Sequence, residues 1–203
     1  MIARTHGGAL YIEKSDEVSI FVRLGENSAE KKLTAEIALR HLPEFQTVFI
    51  DNSSTCLTLA EKMDLSHKTV ITNGLQVALS LSKKEDVNII MPAGEVKYNT
   101  NAVSGSLTCH LLRSFNVDLM LSSCAGFDEQ GSYEFSVDTS QLKQVALEQA
   151  RQKILVVDHN KLFKTAPYRT CTLNLYDAII TDAPTKDIAP LRDAGHNVIN
   201  GEN

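Results

Sequence analysis

From residue 47 onward the chain alternates short apolar runs with amphipathic stretches. The runs are Thr47–Ile50, Thr69–Ile71, Val87–Met91, Val117–Leu121, Ile154–Val157, Ala178–Ile180 and Asn197–Ile199. Between several of them lie segments with helical spacing of apolar residues: Cys56–Met63, Leu75–Ser82, Ser106–Phe115, Thr139–Arg151 and Ile188–Ala194. Unbroken apolar runs suit strands covered on both faces; strict alternation would mark half-exposed ones. Strand followed by helix, repeated, predicts right-handed crossovers and an α/β fold: a mostly parallel sheet with helices on both faces.

An earlier helix is predicted over Ser28–His41, with Leu33, Ile37 and Leu42 on one side. Its start matches a capping box only in part, because Ser28 is followed by Lys31 where Glu or Gln would complete the box. Residues 1–27 are mixed and polar and read as a linker and irregular lead-in. Residues 28–203 read as the α/β domain.

Composition narrows the classes. With 203 residues, 43% of them hydrophobic, the chain can bury one substantial core and does not resemble a disordered polymer. A net charge of −5 excludes a strongly basic nucleic-acid binder, although not a domain that controls one. The apolar runs are far too short to span a bilayer, and the first residues lack the apolar stretch of a signal peptide, so no membrane partner is expected. Cys56, Cys109, Cys124 and Cys171 show no Cys-x-x-Cys spacing and no nearby His pair. That pattern fits a reduced, cytoplasmic setting, with no metal expected. Gly-x-Gly-x-x-Gly and Gly-x-Ser-x-Gly are both absent, so neither a dinucleotide cofactor nor a nucleophile elbow is expected.

The carboxyl ends of the apolar runs are the informative positions, because open α/β sheets bind ligands there. The first run stops at Asp51-Asn52-Ser53-Ser54-Thr55, the second at Thr72-Asn73-Gly74 and the third at Pro92-Ala93-Gly94-Glu95. The next stop at Ser122-Ser123-Cys124-Ala125-Gly126, at Asp158-His159-Asn160-Lys161 and at Thr181-Asp182. A hydroxyl-rich turn opening a helix at 53–55 suits a phosphate or carboxylate, since helix N-terminal amides and dipole favour an anion. The same residues also make an ordinary Ser/Thr cap. Asn73 belongs to a plausible turn. Gly94 and Gly126 allow close approach of a ligand or of another loop. Lys143 lies in a helical stretch, and Lys161 could simply pair with Asp158. Taken together, the strand ends suit a small, polyhydroxylated, anionic ligand such as a sugar phosphate. For an isomerase reading, Glu134 and Asp138 are the available general bases.

The ordered set of these residues resembles the C-terminal effector-sensing domain of DeoR-type bacterial transcriptional regulators. Arg4-Thr5-His6-Gly7-Gly8-Ala9 looks like the family's segment just after its DNA-binding helices, and Asn27-Ser28-Ala29-Glu30-Lys31 like the start of its first helix. Asp51-Asn52-Ser53-Ser54-Thr55 is similar to its Asp-x-Gly-Thr-Thr loop. Thr72-Asn73, Gly94-Glu95, Gly105, Gly126, Gly131, Lys143, Asp158-His159-Asn160-Lys161 and Thr181-Asp182 follow in the family's order. Ser53, Ala93 and Gln141 depart from its usual Gly, Gly and Glu.

The resemblance implies a Rossmann-like fold shared with sugar-phosphate isomerases and CoA transferases, and a non-enzymatic role: binding a phosphorylated sugar or related metabolite to set operator affinity, most simply as a repressor. Ser53, Ser54 and Thr55 would hold the phosphate. Asp51, Thr72, Asn73, Gly94 and Gly126 would line the sugar site, with Lys143 and Lys161 as cationic partners, and Glu95, Cys124 and Asp158 complete the candidate set. DNA would be reached only through a helix-turn-helix that this chain lacks, in a homodimer or homotetramer.

Overall fold

The computed structural model describes residues 2–5, 8–11 and 18–202. The chain begins with an antiparallel pair, β1 (Ile2–Thr5) and β2 (Gly8–Tyr11), then two helices, α1 (Ile20–Gly25) and α2 (Ser28–Leu39). Two strand–helix units and a third strand follow: β3 (Thr47–Ile50) with α3 (Ser54–Lys62), β4 (Thr69–Thr72) with α4 (Leu75–Leu81), and then β5 (Asn88–Ile90). A small hairpin, β6 (Glu95–Lys97) and β7 (Ala102–Ser104), leads into α5 (Ser106–Leu112) and β8 (Val117–Ser122). Next come β9 (Gly126–Asp128), β10 (Gly131–Glu134), α6 (Val137–Gln149) and β11 (Ala150–Val156). The chain ends with β12 (Tyr168–Cys171), β13 (Ala178–Ile180), α7 (Thr185–Asp193) and β14 (Val198–Ile199).

Seven strands form one parallel sheet in the order β14-β13-β11-β8-β3-β4-β5. Every apolar run of the sequence is one of its strands. The runs are apolar throughout because successive residues feed opposite cores. Val48 and Ile50 pack on one face with residues of α2, α3 and α4, such as Ile37, Leu59 and Leu81. Phe49 packs on the other with residues of α5, α6 and α7, such as Leu112, Leu142 and Leu191.

The strand order has one reversal. From β3 the chain steps outward to β4 and β5, then returns to place β8 on the other side of β3 and continues to β11, β13 and β14. Helices leaving β3 and β8 therefore go to opposite faces, which opens a crevice at their carboxyl ends.

Several expectations need correction. Within residues 1–27, where irregular chain was expected, β1, β2 and α1 are regular; His6 and Gly7 of the matching segment lie outside the described residues. In α2 the buried face is Lys31, Thr34, Ala35, Ile37 and Ala38, whereas Leu33 is exposed. The N-cap position is Asn27, in a left-handed conformation and with no side-chain cap hydrogen bond, and Ser28 is the first helical residue. Strand β11 starts at Ala150, well before its apolar run, because Arg151 and Gln152 lie at the exposed rim of the sheet where polar side chains stay in water. The short hairpin β6–β7 and the antiparallel sheet β12-β10-β9 were not anticipated. Among the described residues no helix is long and apolar enough to cross a membrane.

Candidate functional site

The crevice between β3 and β8 is built around a buried ionic triad. Asp51 leaves the end of β3 and is 1% exposed. Its Oδ1 accepts from the Ser53 amide at 2.9 Å, and its Oδ2 accepts from Ser122 Oγ and the Ser123 amide, both at 2.9 Å. Lys143, from the middle of α6, reaches Asp51 Oδ2 at 2.9 Å, Glu134 Oε1 at 2.5 Å and the Ser123 carbonyl at 2.7 Å. Burial by itself would push the Asp51 carboxyl up. The Lys143 charge and the hydrogen bonds from Ser53, Lys143 and Ser123 outweigh it and hold the group at about 2. Lys143 moves the other way: burial would lower it, but Asp51 and Glu134 raise it well above an ordinary lysine. Asp51 and Lys143 are therefore charged throughout the physiological range, and the triad ties β3, β8, β10 and α6 together.

A small cleft opens beside the triad, lined by Arg23, Asn52, Ser53, Cys124, Ala125, Glu134, Phe135, Thr139 and Lys143. Its volume of about 30 Å³ holds roughly two waters. One wall is the start of α3. Ser53 caps that helix by accepting from the Cys56 amide at 3.1 Å, while the amides of Ser54 and Thr55 make no hydrogen bond among the described residues. Arg23 comes from α1, and α1 is held by Lys31 of α2. The buried Lys31 ammonium donates to the carbonyls of Arg23 and Glu26, the latter at 2.7 Å. Burial pushes the Lys31 pKa down; Asp158 opposes this and Lys161 reinforces it.

A larger chamber of about 390 Å³ adjoins the cleft. Asn73, Thr100, Ala102 and Ser104 form one side, the start of α6 (Ser136 to Thr139) the other, and Phe135 and Thr139 line both spaces.

The anticipated residues sort into three groups. Ser53, Cys124 and Lys143 line the small cleft, with Asp51 behind them and Asn73 in the chamber. Burial raises the Cys124 thiol well above its ordinary value, so it is an inert wall. Ser54 and Thr55 are buried and line neither space. Thr72 uses its Oγ1 to accept from the Gly74 amide at 3.0 Å, closing a turn.

Others serve packing or the rim. A Cβ at Gly94 would lie 1.9 Å from Thr108 Oγ1, and one at Gly126 would lie 2.3 Å from the Lys164 carbonyl. Both glycines therefore allow chain to pack on chain. Glu95 is exposed and paired with Lys97 at 2.8 Å. Asp158 caps the turn at His159–Lys161 by accepting from the Asn160 amide at 3.1 Å, and its Oδ2 makes no hydrogen bond among the described residues. Lys161 is close enough for its charge to act on both Lys31 and Cys124.

Lys143 changes meaning most. A lysine has three N–H bonds to offer, and here they go to Asp51, Glu134 and the Ser123 carbonyl. It organises the cleft; a second cationic residue in the lining, Arg23, was missed by sequence reading. Nothing in the pattern marked Arg23. Lys31 did carry a signal, since it occupies the stripe shared with Thr34, Ala35 and Ala38. Among the described residues no group of three His, Cys, Asp or Glu side chains is arranged to hold a metal ion.

A parallel α/β domain with a polar crevice at its strand-order reversal defines a class of ligand-binding domain. This chain belongs to the DeoR C terminal sensor domain family, whose model matches residues 26–183. It is 32% identical over 187 residues to the glycerol-3-phosphate regulon repressor of Escherichia coli K12, covering 91% of this chain and 74% of that protein. It is 30% identical over 185 residues to the HTH-type transcriptional regulator GolR of Listeria innocua, covering 90% and 73%. Among solved structures it is similar to ribose 5-phosphate isomerase A of Methanocaldococcus jannaschii, with a TM-score of 0.50 and 12% identity. That match covers 68% of this chain but little more than half, 56%, of the isomerase, and it speaks to the fold alone.

Proposed function

We propose that this chain is the effector-sensing part of a DeoR-type regulator, acting as a repressor of sugar-metabolism genes, and that a phosphorylated sugar or related metabolite binds in the cleft at the ends of β3 and β8. The observation that carries this reading is the meeting of two anion-favouring elements at one cleft. Ser53, the N-cap of α3 and hence at the end where the helix dipole favours an anion, and Arg23 both line it.

The place of Arg23 supplies a mechanism. A ligand that engages Arg23 acts on α1, the element that carries it and follows the N-terminal strands. A ligand that favours one position of α1 over another shifts the equilibrium between them. In the whole regulator that shift passes to a DNA-binding helix-turn-helix, for which residues 1–27 act as connector. The relatives named above are transcriptional regulators, which supports the reading; on it, the protein works in the cytoplasm as a homodimer or homotetramer and reaches DNA through that additional module.

A non-enzymatic role is supported by the state of the acids an isomerase would need. Glu134 is bound to Lys143 at 2.5 Å and Asp138 lies 3.6 Å from Lys97, so neither is presented as an open general base. Isothermal titration with a panel of sugar phosphates tests the reading. Saturable heat with one or more of them is expected, without hydrogen exchange from solvent into the bound sugar. No heat with any member at millimolar concentration would overturn it.

A further inference from the structure

The hairpin β6–β7 has one closed edge and one open edge. Val103 lies opposite Val96, yet the Val103 amide donates to the Asn73 carbonyl at 2.8 Å, and the Leu75 amide donates to the Asn101 carbonyl at 3.0 Å. The segment that follows β4 thus covers the outer edge of β7. Residues opposite each other in an antiparallel pair exchange either both of their backbone hydrogen bonds or neither. Val96 and Val103 exchange neither, so the amide and carbonyl of Val96 point away from β7. Neither group makes a hydrogen bond among the described residues.

An open strand edge is a template for another strand. The side chains along this edge, Glu95-Val96-Lys97, are laid out to meet a copy of themselves. When two β6 strands run antiparallel about Val96, Glu95 faces the partner's Lys97 and Lys97 faces the partner's Glu95. Unlike charges directly opposite stabilise a cross-strand pair, and like charges destabilise it. The apolar surface agrees. Val96 is 56% exposed and Tyr98, next after the strand, is 91% exposed, so the single chain leaves both in water. Val137 and Tyr168, also exposed, line the chamber beside Lys97 and widen the patch.

We propose that the open edge of β6 is a self-association surface, where two copies of this chain join by antiparallel pairing of β6 about Val96. The two Val96 residues exchange their outward amide and carbonyl groups, and one sheet runs β7-β6-β6-β7 across a two-fold axis. Lys97, which lies 2.8 Å from its own Glu95 and 3.6 Å from Asp138, gains the partner's Glu95. The interface adjoins the start of α1 in each copy, because the Ile20 amide donates to the Asn99 carbonyl of the hairpin at 3.1 Å. This rests on the oligomeric part of the reading above, and the experiment separates the two.

Sedimentation equilibrium over a range of concentrations compares the chain with Val96→Pro, with Glu95→Lys, with Lys97→Glu, and with an equimolar mixture of the two charge variants. The wild type sediments as an even-numbered oligomer. Val96→Pro removes an N–H that points away from β7, so it spares the hairpin and halves the mass. Glu95→Lys and Lys97→Glu each set like charges opposite one another twice, and each weakens self-association by about tenfold or more. Mixing the two restores unlike charges at both pairs, and the mixture regains the wild-type mass. A structural lesion in either variant would not be repaired by mixing. A wild type that stays monomeric throughout overturns the surface and the oligomeric reading together. An oligomeric wild type whose mass survives Val96→Pro or Glu95→Lys overturns the surface alone, as does a mixture that fails to reassociate.

Discussion

The Asp51 carboxylate and the Lys143 ammonium meet at 2.9 Å, one at the end of β3 and the other in the middle of α6, both almost wholly buried. Glu134 and the Ser123 carbonyl take the lysine's remaining protons. The point at which the sheet reverses its strand order is thus held by charge as well as by apolar packing. With both acids ionised the triad sums to one negative charge.

Lys143→Met leaves Asp51 and Glu134 buried without their counter-charge. Removing one partner of a buried pair costs about 3–5 kcal/mol. Urea unfolding followed by circular dichroism should show a loss of that size. A loss below about 1 kcal/mol would mean that the two acids are solvated or protonated in the folded chain.

Acid should reveal Asp51. Its folded value of about 2 lies below the ordinary 3.8, so in the unfolded chain this group takes up a proton first as pH falls. Its contribution is present above about pH 4 and is lost between there and pH 2, amounting to roughly 2 kcal/mol. Asp51→Asn should flatten the acid limb of stability against pH in that window. An unchanged limb would locate the acid sensitivity in other carboxylates.

Two variants separate the cap from the anion site. Ser53→Ala removes the acceptor for the Cys56 amide and should cost about 1 kcal/mol of stability. Arg23→Gln removes the cation at the cleft and should weaken binding of inorganic phosphate by about ten- to a hundredfold, the scale of a charge-assisted hydrogen bond. Unaltered phosphate affinity in Arg23→Gln would remove the guanidinium from the site.

Gly126→Ala tests the packing role of that glycine. The added Cβ would lie 2.3 Å from the Lys164 carbonyl, a backbone atom that cannot rotate away. Overpacking of this kind costs about 1–3 kcal/mol, seen as a lowered melting temperature. A stability equal to the wild type's would show that the loop at 164 yields freely.

Local order was well marked in the sequence. The runs at 47–50, 117–121 and 178–180 suited doubly covered strands, because neighbouring residues of either parity are apolar over most of their length. The amphipathic segments between them had to be helices for the same reason. Elements with little core contact left weaker marks. The hairpin β6–β7, with exposed Val96, and helix α1, with exposed Phe21 and Val22, carry no periodic stripe. Gly94 and Gly126 were visible as places of close approach, but what approaches them was not.

What the amino-acid sequence by itself determined is the kind and order of elements and the polarity of the strand ends, since burial on one or two faces leaves a period that can be read along the chain. It could not say which strands are neighbours, because every run is apolar enough to pair with any other. Only the tertiary structure put β8 against β3, brought Lys143 to Asp51, and spent the lysine's protons inside the protein so that Arg23 became the cation at the cleft. Each of those contacts joins residues far apart in the chain, and a side chain's charge carries no record of its partner until the backbone has closed around both.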